Sequence, residues 1–134
     1  MKYLALIIIA ILTLGCTKTT CGNNPEDMFN LASKLKDIAA AVDGTLKFSE
    51  NTDDDPQALL MAAINNDISR IALFEGYQLK IETQANHAVL LLCKDDVILI
   101  EDAGCTARSD IQHWQSPKKQ TCKLTINTTE VCRP

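Results

Sequence analysis

The chain has 134 residues, 46% of them hydrophobic and only 4% aromatic, with a formal charge of −4. That length suits one domain. An acidic balance without a clustered Lys/Arg run excludes nucleic acid as a partner and an electrostatic hold on anionic lipid.

The chain opens on a targeting pattern. Met1-Lys2-Tyr3 is a short basic start, and Leu4 to Leu14 is an apolar run of 11 residues broken only by Thr13. A membrane-crossing helix needs roughly 20 residues, so this run fits the core of a signal peptide instead. Gly15 then precedes Cys16. Thr13-Leu14-Gly15-Cys16 resembles the lipobox of bacterial lipoproteins, although Leu is usual at the position Thr13 holds. The resemblance covers the export signal alone. It implies cleavage after Gly15, acylation of Cys16 and a membrane tether facing the periplasm or the cell exterior. The rival is an ordinary secretory signal cut at the same place without lipid. Removing residues 1–15 takes away Lys2 and leaves a charge of about −5.

Residues 16–24 are polar and read as a tether. Residues 25–134 read as a single α+β domain, N-terminal helices packed on a mostly antiparallel sheet. Asn24 as N-cap, Pro25 at the first helical position and Glu26-Asp27 in the first turn predict a helix start. Met28, Leu31, Leu35, Ile38 and Val42 recur at helical spacing and predict one apolar stripe, with Gly44 as the stop. Thr45 to Ser49 alternates like a short strand. Asp53-Asp54-Asp55 lacks the spacing of a calcium loop. It reads as a solvated loop whose last residue caps a helix running from Pro56 to about Asn65. Asp67 caps a further turn with Ile68, Ile71 and Phe74 inward.

Tyr77 to Thr83 alternates apolar and polar residues, the pattern of a half-buried strand. Ala88 to Cys93 is almost wholly apolar and predicts a central strand, and Val97 to Ile100 a third. Gln84-Ala85-Asn86 and Lys94-Asp95-Asp96 are the turns of this meander. After Glu101-Asp102-Ala103-Gly104 comes an irregular stretch to Gln120, and Lys123 to Ile126 reads as a last short strand.

An exported chain keeps disulfides. Zinc is a weak rival, because no Cys-x-x-Cys spacing occurs and His87 and His113 are the only histidines. Acylation of Cys16 leaves Cys21 without a partner; otherwise the two can pair. The remaining Cys93, Cys105, Cys122 and Cys132 make two bridges. Antiparallel pairing of Lys123–Ile126 with Val97–Ile100 predicts the nested connectivity Cys93–Cys132 and Cys105–Cys122. Parallel pairing predicts crossed partners.

No catalytic constellation stands out. Ser109, Asp110 and His113 hold the residue types of a triad, but a triad is defined in space, and no Gly-x-Ser-x-Gly elbow is present. A cysteine acting with His87 or His113 is the other nucleophilic option. Trp114, the sole Trp, lies beside His113 between Cys105 and Cys122. It either covers one end of the sheet or serves as an exposed anchor on a stapled loop, since Trp is enriched at interface hot spots. The expected function is therefore a non-catalytic cell-envelope lipoprotein. It would bind another protein through Trp114 and His113, as an inhibitor, immunity factor or assembly component, without metal or cofactor. A small hydrolase using His113 with Ser109 or a cysteine is the alternative, and a small-ligand carrier a third reading.

Overall fold

A computed structural model describes residues 24–50 and 55–133. The signal segment, Cys16, Cys21, Asp53 and Asp54 lie outside the described residues. Helix α1 spans Pro25–Phe48 and helix α2 Pro56–Ala63. A 3-10 helix, Ile68–Phe74, leads into the strands β1 (Gln78–Gln84), β2 (His87–Lys94) and β3 (Val97–Ala103). Strand β4 (Asp110–Ile111), a 3-10 turn (His113–Gln115) and helix α3 (Thr128–Val131) follow. The sheet order is β1-β2-β3-β4, antiparallel throughout. Helices packed on an antiparallel sheet make the chain α+β. No described helix is long and apolar enough to cross a membrane.

The helix starts follow their caps. The Asn24 side chain accepts from Glu26 N, and Asp55 accepts from Ala58 N at 3.1 Å, each ahead of a Pro. Gly44 does not stop α1, which runs on to Phe48. A single Gly costs a helix only about 1 kcal/mol against Ala. Here the Asp43–Lys47 pair at 2.8 Å and the Thr45 hydroxyl on the Ala41 carbonyl brace the turns around it. The predicted strand at Thr45–Ser49 is therefore helix. The Asp67 side chain caps the 3-10 helix at Ser69 N and Phe74 is buried, but Ile68 points outward, 64% exposed.

Both hairpins turn on two residues of positive φ, Ala85-Asn86 and Asp95-Asp96. This is the type I′ geometry, whose twist matches that of the flanking strands. Strand β2 is buried along nearly its whole length. Ala88, Leu90 and Leu92 join the helix-side core with Leu35, Ile38 and Val42. Val89, Leu91 and Cys93 face the other way. There they meet Ile98, Ala103, Cys122 and Ile126. Chain from residue 120 onward covers this second face without forming a strand.

That placement corrects the expected connectivity. Residues 123–126 are not a strand on β3; a two-residue β4 takes one end of that edge. The other end holds only a bridge between Val97 and Thr121, with Ile98 N donating to Gln120 O and Cys122 N to Asp96 O. Cys122 is thereby delivered beside Cys93, the cross-strand partner of Ile98. The chain then crosses the sheet face toward Cys105. The bridges are Cys93–Cys122 and Cys105–Cys132, 29 and 27 residues apart in sequence. They cross rather than nest. Each is worth roughly 3–4 kcal/mol in the chain-entropy model.

Between the bridges one side chain holds the covering segment. Glu101, fully buried, accepts from Thr125 N and Ile126 N at 2.7 Å each, from the Thr125 hydroxyl, and from His113 Nε2 at 2.9 Å. Two backbone donors of an irregular segment find their acceptor in this carboxylate. Glu101→Gln turns an amide NH2 toward some of these donors. It should lower stability by about 2–4 kcal/mol, the range for breaking a buried charged hydrogen-bond set. Urea denaturation of the oxidised protein measures this, and an unchanged midpoint would remove Glu101 as the anchor.

Candidate functional site

Adjacent residues of a strand point to opposite faces. Glu101 pairs with Leu91 and faces the C-terminal segment, so Asp102, which pairs with Leu90, faces the helices. The pattern Val97–Ile100 followed by two acids suggested that the strand ended at Ile100. It continues to Ala103, and both acids are buried.

Asp102 is 1% exposed, and neither carboxylate oxygen has a hydrogen-bond partner among the described residues. It lines a groove of about 330 Å³ together with Lys36, Asp37 and Ala40 of α1 and Gly104 to Ala107 of the following loop. Its cross-strand neighbour is a second acid, Asp110, which Lys36 approaches at 3.9 Å. Burial pushes the Asp102 carboxyl up to about 7; the Lys36 charge opposes this and the Asp110 charge adds to it. A buried acid without a partner, titrating near neutrality beside a groove, is the type of group found at functional sites.

A second cluster lies on the same end of the sheet. Asp43, near the end of α1, is buried and accepts from Ala88 N at 2.9 Å, Lys47 Nζ at 2.8 Å and His87 Nδ1 at 3.2 Å. A ring nitrogen of His87 lies within 4.8 Å of both sulfurs of Cys105–Cys132. With the bridge reduced, Asp43, His87 and a thiol would stand in the order of orienter, base and nucleophile in thiol catalysis. As a metal centre, the three donors are not free while the two sulfurs are bonded to each other.

Gly104 explains how these groups meet. A Cβ there would lie 2.0 Å from the Ala39 carbonyl oxygen and 2.6 Å from Asp43 Cβ. The bare backbone lets α1 rest on the end of β3, and Gly104 N donates to Ala88 O. Cys105, the next residue, belongs both to the Asp102 groove and to the His87 cluster.

The residues singled out in the sequence lie elsewhere. The Ser109 hydroxyl is 2.7 Å from the Ala103 carbonyl and 2.8 Å from that of Thr106, while His113 is committed to Glu101. Asp110 takes Gln112 Nε2 and faces Lys36. The Ser109–His113 hydrogen bond of a hydrolase is not formed. Trp114 is half-buried against the helix-side core, edge-on to Phe29 with centroids 5.6 Å apart, and donates from Nε1 to Gln112 Oε1. Sequence reasoning missed Asp43, Asp102 and the placement of His87. Asp43 carried a faint signal: it follows Leu35 and Ala39 at intervals of four, an acid on an otherwise apolar stripe. Asp102 carried none, because adjacent acids after an apolar run read as a turn.

Comparison of the chain with family models, with curated proteins and with solved structures gives no match.

Asp102 has a pH signature of definite sign. Its carboxyl holds a proton in the folded state up to about pH 7, against an unfolded value of 3.8. The folded state therefore binds more protons between these limits, and stability falls as pH rises from about 4 through 7. Asp102→Asn should flatten that fall and melt higher than the parent at pH 8. Thermal melts from pH 4 to 8 decide it; a parent and variant with parallel profiles would mean that Asp102 is solvated.

Proposed function

We propose that this chain is a cell-envelope lipoprotein, tethered to a membrane through acylated Cys16, whose folded part binds another protein as an inhibitor, immunity factor or assembly component. The observation that carries the binding half is the Phe29–Trp114 pair. Phe29 is 53% exposed on α1, and its ring meets that of Trp114, from the stapled C-terminal region, in a T-shaped contact. Two large aromatic side chains thus share one surface and are braced from behind. The Trp114 indole is fixed by Gln112, and its chain segment is closed by two disulfides. A rigid aromatic surface loses little side-chain freedom on association, and buried aromatic anchors dominate interface energies. His113, the residue before Trp114, is held to buried Glu101 through Nε2 at 2.9 Å.

The export half rests on the Leu4–Leu14 run ending at Gly15-Cys16. Two paired cystines fit an oxidising compartment. Intact-mass analysis of membrane-extracted protein should show a chain beginning at acylated Cys16. An unmodified Cys16 at the N-terminus would remove the lipid, and a start far from residue 16 would remove the export assignment.

Binding has its own test. Cross-linking in envelope extract identifies the partner, and titration with the purified partner measures affinity. Trp114→Ala and Phe29→Ala should each weaken that affinity by more than about 1 kcal/mol per folded molecule. If both variants bind as the parent does and only melt earlier, the pair is core and the proposed surface is wrong.

A further inference from the structure

The two disulfides sit in opposite surroundings. Cys93 and Cys122 are buried in an apolar cluster with Leu91 and Ile98. A thiolate there is disfavoured, and an attacking thiol has no access. Cys105 and Cys132 are half-buried at the surface end of the sheet, with a His87 ring nitrogen within 4.8 Å of both sulfurs and Asp43 bonded to His87 Nδ1. Cys105 also opens on the groove that holds unpartnered Asp102.

We propose that Cys105–Cys132 is a redox-active disulfide, opened by thiol–disulfide exchange with a protein dithiol that reaches Cys105 through this groove, while Cys93–Cys122 is structural. This goes beyond the binding role and does not depend on it. In the first step a thiolate of the incoming dithiol attacks Cys105 Sγ. A mixed disulfide forms, the Cys105–Cys132 bond breaks, and Cys132 leaves as a thiolate. His87, held in place by Asp43, stabilises that thiolate as imidazolium and is the source of its proton. In the second step the partner's other thiol, losing its proton to water, attacks the partner's sulfur of the mixed disulfide and releases Cys105 as a thiolate, which takes a proton from water. Overall the cystine gains two electrons and two protons, and the dithiol becomes a disulfide. The bond being opened ties α3 and the chain end to the end of β3, whereas the Glu101 anchor and the buried bridge stay in place.

Assistance by His87 changes the pH dependence of exchange. An unassisted reaction accelerates about tenfold per pH unit below the attacking thiol's own titration, because only the thiolate attacks. A proton delivered by His87 to the departing sulfur offsets the scarcity of attacking thiolate as pH falls, so the rise should be shallower. The other charged groups on the elements around the bridge are Lys36, Asp37, Asp43 and Lys47 on α1, Asp102 on β3, Arg108 in the loop after Cys105, Asp110 on β4, Glu130 on α3 and Arg133 beside Cys132.

The test uses the full chain in its oxidised, folded form with dithiothreitol as the dithiol. Alkylation and peptide mapping follow each bridge separately from pH 5.5 to 8.5. Cys105–Cys132 should open at least tenfold faster than Cys93–Cys122 while circular dichroism stays native. His87→Gln should slow opening of Cys105–Cys132 about tenfold at pH 6 and restore the full tenfold rise per unit, leaving the other bridge unchanged. The comparison of the two bridges in the unaltered protein needs no variant, so poor folding of His87→Gln would not shield the proposal. Joint opening with loss of native signal, or earlier opening of Cys93–Cys122, would overturn it. Faster opening with the same pH profile in His87→Gln would reduce the difference to exposure and overturn the role of His87.

Discussion

Strand β2 must be covered twice. Residues 88–93 bury side chains on both faces of the sheet, and one face alone is matched by helices. An antiparallel sheet commonly leaves its second face to water, which an apolar run of this kind does not permit. Among the described residues the segment 120–133 covers it, and most of that stretch forms no regular structure. Beyond the bridge at Thr121 the segment lies across the sheet face, away from the strand edges, so its donors need other acceptors. Glu101 answers this for Thr125 and Ile126. Gln84 answers it for Thr128, whose N–H reaches Gln84 Oε1 at 2.7 Å. The disulfides fix the two ends of the cover.

The same reasoning separates what was legible in the sequence from what was not. Helix starts at Asn24-Pro25 and Asp55-Pro56, the stripe from Met28 to Val42, and the three meander strands were all readable. Each is set by neighbours within a few residues, through caps, periodicity or turn residues. Gly44 was misread because packing of α1 on β2 outweighs a propensity term of about 1 kcal/mol. Lys123–Ile126 was misread for a different reason. Its alternation is genuine, with Leu124 and Ile126 turned to the sheet, yet alternation records only that one side is apolar. It does not distinguish a strand on a sheet edge from a segment lying over a sheet face. The crossed disulfides followed from that distinction and so lay beyond local pattern.

Glu101 and Asp102 show how little composition reveals about a site. The two neighbours differ by one methylene, and both are shut away from water. One is surrounded by four donors and holds the segment that covers the second face. The other has no donor among the described residues. Alternation along a strand makes this outcome depend on parity alone: the odd face carries the polar segment, the even face the helices. A fold optimised only for stability would place an apolar side chain at residue 102. Local departures from the rules of a well-packed core concentrate at functional positions, where strain or desolvation is retained for a purpose.

The position of that departure narrows its meaning. Asp102, Gly104 and Cys105 are almost consecutive, and α1 touches the backbone of the middle residue. Because no side chain intervenes at Gly104, Asp43 comes close enough to hold Ala88 N and the imidazole of His87 together. A Cβ at Gly104 would push α1 outward from its own Ala39 carbonyl and draw Asp43 away from both partners. The hydrogen bonds of Asp43 would lengthen, and His87 would lose its fixed orientation beside the disulfide. The buried bridge Cys93–Cys122 and the Glu101 anchor lie on the far face, out of reach of that movement. The C-terminal cover is held by satisfied polar groups, by the sealed Cys93–Cys122 at one end and by Cys105–Cys132 at the other. At that second end, where α1 meets the end of β3, an unsatisfied acid and an oriented imidazole stand beside a cystine that solvent can reach.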